Sequence, residues 1–117
     1  MKIQFIYPAF ERHAQSHPEL KQYVPCNEYI GSPSLGIAAV AGCTPAGHEL
    51  AFVDDRIHPV DGELPEADLY ALSFFTPAAT RAFQIADSIR ALGKPVVAGG
   101  IFPSTMSQLC ASTSTRW

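Results

Sequence analysis

The segment DLYALSFFTPAATRAFQIADSIRALGKPVVAGG, Asp68 to Gly100, constrains the fold more than any other. Its first eight residues are almost continuously apolar, as expected of a strand covered on both faces. Thr76-Pro77 then has the form of a cap followed by a proline at the first helical position, where no backbone donor is needed. Ala79, Ala82, Phe83, Ala86 and Ile89 recur at helical spacing and form one apolar stripe. Arg81, Gln84, Asp87, Ser88 and Arg90 take the opposite side, where they read as a solvated face. Gly93 is placed to end the helix in a left-handed conformation, and KPVVAGG is a second apolar strand. A strand, helix, strand unit of this kind packs as a parallel pair joined by a right-handed crossover, so the chain belongs to the parallel α/β class.

The remaining segments extend the same pattern. KIQFIY is a short first strand rich in β-branched and aromatic residues, ended by Pro8. The long connection from Pro8 to Ser32 is broken by Pro18 and Pro25 and carries His13, His17, Tyr23, Cys26 and Tyr29. Connections of this length in compact domains are usually functional or disordered. SPSLGIAAVAGC reads as a helix capped by Ser32 and stopped at Thr44-Pro45. HELAFV is a second strand ending at Asp54-Asp55, and RIHPVDGELPEA is a turn-rich connection without a clear helix. After Gly100 the periodicity fades into a Ser/Thr-rich stretch, with a short helix expected around Met106 to Cys110. The expectation is a flavodoxin-like (Rossmann-like) parallel sheet of four visible strands in the order 2-1-3-4. The fifth strand usual in that fold is missing. The domain is expected over residues 1–104, with an irregular or short-helical tail over 105–117.

Composition excludes several classes. The chain of 117 residues has a net charge of −3, with its eight Lys and Arg scattered, which is no footprint for nucleic acid. LGIAAVAGC is about half the ~20 residues needed to cross a bilayer, so no membrane partner is expected. The amino terminus lacks the pattern of a signal peptide. Cys26, Cys43 and Cys110 fit neither a disulfide framework nor a CxxC metal knuckle. A reduced, cytoplasmic protein is the expectation, with Cys43 packed on an apolar helix face.

In open α/β sheets, ligands bind beyond the carboxyl ends of the strands where the strand order reverses. That rule gathers Tyr7-Pro8, Ser73 to Thr76 and Gly99-Gly100 around one crevice. Ser73 and Thr76 offer hydroxyls, and the two glycines allow a ligand close to the backbone. Read singly, Thr76 is a cap and the glycines a turn; their coincidence at one edge favours a binding site. GxGxxG and the Walker sequence are both absent, so nucleotide-phosphate chemistry has little support. Asp54-Asp55 reads as a solvated strand end in preference to a phosphoacceptor or metal site. His13 and His17 lie four apart, but Pro18 interrupts a helix there and no third ligand is clear.

KIQFIYP, GSPSLGIAAVA, GHELAFVDDR and, most specifically, ALSFFTPAATRAFQIADSIRALGKPVVAGGIFPS together resemble the N-terminal cobalamin-binding domain of cobalamin-dependent radical S-adenosylmethionine enzymes. The resemblance covers Met1 to Ser104. It implies a corrin ring over the carboxyl edge of the sheet, with a nucleotide tail running down between sheet and helices. Ser73, Phe74, Phe75 and Thr76 would line the tail pocket. Gly99, Gly100, Ile101, Phe102 and Pro103 would lie against tail and ring, and Tyr7-Pro8 would approach from the other side. ERHAQS, Glu11 to Ser16, copies the His of the cobalt-ligating D-x-H-x-x-G loop of other cobalamin domains while changing its Asp and Gly; the radical-enzyme branch usually lacks that ligand, and His13 is the candidate for it in this chain. The CxxxCxxC motif is absent, so no iron–sulfur cluster is expected in this chain. It reads as a binding module for a small-molecule cofactor, not as a catalyst by itself. Two other readings stay open. One is a flavin- or nucleotide-binding flavodoxin-like domain. The other is a homo-oligomer formed through the edge strand Pro95–Gly100.

Overall fold

The computed structural model describes residues 1–10, 17–19 and 34–112. Strands β1 (Lys2–Tyr7), β2 (Glu49–Asp54), β3 (Leu69–Ser73) and β4 (Val96–Gly99) form one sheet in the order β2-β1-β3-β4. Every pairing is parallel: Phe5 lies opposite Phe52 on one side and Ala71 on the other, and Ser73 lies opposite Gly99. Helix α1 (Leu35–Cys43) joins β1 to β2, and α2 (Ala79–Ala91) joins β3 to β4. Residues 55–68, between β2 and β3, carry no helix. Two single-turn helices, α3 (Ile101–Thr105) and α4 (Ser107–Ala111), follow β4. This is the expected flavodoxin-like α/β arrangement with the expected strand order.

The period-2 alternation of each strand separates two unlike faces. On one, Ile6, Tyr70, Leu72 and Val96 pack against Ala82, Ile85, Ala86 and Ile89 of α2, with Phe102 and Cys110 closing the end. Ile6, Ala82 and Ile89 are fully buried, and a buried isoleucine alone contributes about 1.5–3 kcal/mol. The stripe read from the sequence is therefore the packed face of α2, with Ile85 added and Phe83 only half-buried. On the other face, Ile3, Phe5 and Ile37 form a smaller cluster with Tyr7, Ala41, Leu69 and Ala71. Although α1 is apolar all round, only Ile37 is buried, and Cys43 is exposed, not packed.

Local chemistry explains the helix ends. α1 begins at Leu35 because the Ser34 hydroxyl accepts the Ile37 N–H at 3.3 Å; the expected cap, Ser32, lies outside the described residues. Thr76 is not a side-chain cap. Instead Thr76–Ala78 form a 3₁₀ turn, with Pro77 near its start, that feeds α2. Gly93 ends α2 at φ +69°, as expected. Its N–H donates to Arg90 O and the Lys94 N–H to Ile89 O, the paired bonds of a Schellman stop. IFPST, where the sequence shows no helical period, is helical and buries Phe102 and Pro103.

Candidate functional site

The two faces of the sheet differ at β4. Against the α2 face its Val96 and Ala98 are packed. On the other side α1 covers β1 and part of β3 but leaves a cavity of about 320 Å³ beside β4. Phe5, Ala71 and Val97 form its floor, Gly36, Ile37 and Val40 of α1 its wall, and Ser73, Gly99 and Gly100 its upper end. The lining is apolar apart from the Ser73 hydroxyl and backbone groups. That volume is at the lower end of small-molecule pockets, ~300–1,000 Å³, enough for an aromatic base with its sugar but not for a corrin ring.

Ser73, Gly99 and Gly100 thus share one site, and the two glycines differ in kind. A Cβ on Gly99 would meet no heavy atom within 4 Å, so the missing side chain is cavity space. Gly100 is required by the fold itself: its φ is +100°, and a Cβ would lie 2.7 Å from Phe74 O and 3.2 Å from Ser73 Oγ. Gly36 was not singled out in the sequence, yet its Cβ position lies 4.0 Å from Ser73 Oγ, so a larger residue there would block the hydroxyl. The signal for it was available in the position of Gly36 on the first turn of the first helix. Among the described residues the Ser73 hydroxyl has no hydrogen-bond partner.

The other predicted residues are distributed elsewhere. Phe74 follows the parity of Tyr70 and Leu72, so it enters the α2 core, 5.7 Å from the Phe102 ring and 6.1 Å from Phe83. Phe102 and Pro103 are buried, whereas Ile101 is 72% exposed. Thr76 is exposed at the 3₁₀ turn. Pro8 is buried at the end of β1. Tyr7 lies at the carboxyl edge under the Arg56 guanidinium, whose carbon is 4.7 Å from the ring centre. Phe75 meets Phe10 edge-to-face at 5.0 Å. His13 lies outside the described residues, and His17 is exposed with Nδ1 3.2 Å from Glu19.

Asp54 and Asp55 overturn the reading of a solvated strand end. Both are buried. Asp54 accepts a two-pronged contact from Arg56, at 2.9 and 2.6 Å, which holds its carboxyl below the usual range. Asp55 is 2% exposed and accepts four hydrogen bonds: Arg81 Nε at 2.7 Å, an Arg81 terminal nitrogen at 2.8 Å, Ala9 N–H at 2.9 Å and Val60 N–H at 2.7 Å. Burial alone would raise the Asp55 pKa, but these donors outweigh it and hold the carboxyl below its ordinary value. With both oxygens saturated by donors, Asp55 suits neither a metal nor phosphoryl chemistry. Arg81 belongs to this buried network, not to the solvated face of α2.

No family model matches the chain. A stretch of 67 residues, 57% of the chain, is 33% identical to the bacteriochlorophyllide d C-8(2)-methyltransferase of Chlorobaculum tepidum. The matched region spans 15% of that protein. No solved structure matches.

Proposed function

We propose that the chain is a corrinoid-binding domain of the kind that accompanies radical S-adenosylmethionine methyltransferases. The observation that carries this reading is the cavity beside β4, which extends to the carboxyl edge of the sheet, where Ser73, Gly99 and Gly100 line it. Its size suits the nucleotide tail of a cobalamin and not the ring, which would need the open edge above it. The fit rests on a cradle left unfilled by side chains: Gly99 presents bare backbone to the space, and Gly36 leaves the Ser73 hydroxyl accessible. Similarity over 67 residues to a methyltransferase is consistent with this reading.

In this reading Ser73 donates a hydrogen bond to an acceptor on the tail base. Phe5, Ala71, Val97, Ile37 and Val40 exclude water from its faces, while Tyr7 and Phe75 border the ring. Bound here, the corrinoid supplies cobalt-centred methyl transfer or radical tuning, and the chain supplies orientation and an apolar surround. The test compares cobalamin with cobinamide, which lacks the nucleotide tail. After mixing with excess ligand and desalting, cobalamin should co-elute at about one equivalent and bind at least tenfold more tightly than cobinamide, as expected for one pocket filled by one group. Equal binding of the two would remove the cavity from the account, and selective retention of flavin mononucleotide would favour a flavodoxin-type ligand instead.

A further inference from the structure

Asp55 joins three segments that meet at the carboxyl edge of the sheet. Its Oδ2 accepts the Ala9 N–H from the chain leaving β1, and its Oδ1 accepts the Val60 N–H from the chain leaving β2. Arg81, in the first turn of α2, grips both oxygens and reaches on to Val60 O at 3.3 Å and to the exposed Asp61 at 2.9 Å. Ala9 precedes Phe10, whose ring packs against the α2-side core and is set edge-to-face against Phe75, two residues beyond the end of β3. Arg56 lies over Tyr7 and, more distantly, Phe10. The carboxylate is thereby bonded to the residue next to Phe10, in an aromatic rim of Tyr7, Phe10 and Phe75 at the carboxyl edge; neither Asp55 nor these three rings line the cavity.

We propose that the Asp55–Arg81 pair is a positioning latch for this rim, so that it sets affinity for the flat ring of a corrinoid and leaves the tail cavity unaffected. The ligand in this statement rests on the function proposed above; the latch itself rests on the four hydrogen bonds to Asp55. A buried carboxylate with four donors is rigid, because losing the charge leaves main-chain N–H groups facing a weaker acceptor. Asp55→Asn keeps the shape but replaces one accepting oxygen with an amide NH₂ that faces donors. The Phe10 segment should then lose its fixed position, and preorganised contacts to a ring should be lost with it.

The decisive experiment compares wild type, Asp55→Asn and the control Asp87→Asn, an exposed α2 carboxylate outside the Asp55–Arg81 network. Binding is measured to hydroxocobalamin and to the free tail fragment, 5,6-dimethylbenzimidazole riboside. In Asp55→Asn, cobalamin should bind about tenfold more weakly, the scale expected when a preorganised wall is loosened. The riboside should bind within about twofold of wild type, and Asp87→Asn should match wild type for both. A general structural defect would weaken both ligands alike, and that result, or no change in either, overturns the proposal. In the ligand-free protein, the nuclear Overhauser contact between the Phe10 and Phe75 rings should disappear in Asp55→Asn and persist in Asp87→Asn. Its persistence in both overturns the latch even if wild type binds no corrinoid, an outcome that would refute only the functional reading. If Asp55→Asn does not fold, Arg81→Lys, which keeps the charge but loses the two-pronged grip, is put through the same comparison with the same expected pattern.

Discussion

Replacing Gly99 by leucine separates a glycine that serves a ligand from one that serves the fold. Gly99 has none of the positive φ values found at other glycines, and a Cβ there would meet nothing within 4 Å. The new side chain would enter the 320 Å³ cavity between α1 and β4. Two effects favour the folded state. Removing a strand glycine contributes roughly 0.5–1 kcal/mol through the unfolded chain. Burying a leucine contributes up to ~1.5–3 kcal/mol, of which about half applies in a cavity open at one end. The variant should therefore be about 1 to 2.5 kcal/mol more stable than wild type in urea unfolding followed by circular dichroism. Corrinoid binding, measured by calorimetric titration, should fall by about 100-fold or more, roughly 2.7 kcal/mol, because the tail and the leucine cannot share the space. A destabilised Gly99→Leu protein would mean that the fold needs this glycine. Undiminished binding would mean that the ligand lies elsewhere.

Gly100→Ala should do the opposite. Its Cβ would sit 2.7 Å from the Phe74 carbonyl oxygen at φ +100°, so a loss of about 2–4 kcal/mol is expected in the same urea experiment, and a loss below about 0.5 kcal/mol would contradict the geometry. The Asp55 carboxyl titrates below its ordinary value in the fold. Its stabilising contribution is therefore complete above the unfolded pKa of about 3.9 and is lost as pH falls through the lower folded value. Acid unfolding of wild type should steepen below about pH 4, and Asp55→Asn should flatten that dependence while starting from lower stability. A maleimide should label exposed Cys43 rapidly and buried Cys110 slowly, since burial also raises the Cys110 thiol pKa; equal rates in peptide mass spectrometry would contradict the packing of α4.

Much of this architecture was legible because period-2 and period-3.6 patterns report burial directly. The strands and the helix over Ala79–Ala91 follow from apolar runs separated by one amphipathic stretch, whereas the strand order was expected from the flavodoxin-like pattern as a whole. The cavity was legible in part, since Ser73 and Gly99 lie at the ends of neighbouring parallel strands in register. Phe74 was misdirected by its place at a strand end, although the alternation of Tyr70, Leu72 and Phe74 puts it in the α2 core. The Asp55–Arg81 pair was hidden for a different reason. Its partners are 26 residues apart, and charges at helix surface positions carry no sign of a tertiary partner until the strands bring them together. Thr76 shows a third limit: a Thr-Pro pair signals the start of a helical segment, but the 3₁₀ turn that begins there shifts the α-helix to Ala79.

The central claim, that the space beside β4 is the site of a corrinoid tail, is tested most directly by nuclear magnetic resonance. Backbone amide shifts are followed while hydroxocobalamin is added to the ¹⁵N-labelled chain. The account predicts that Gly36, Ser73, Val97, Gly99 and Gly100 shift together and saturate near one equivalent, while amides on the far edge, from Glu49 to Phe52, stay still. Shifts confined to that far edge, or none at all with excess cobalamin, would contradict it.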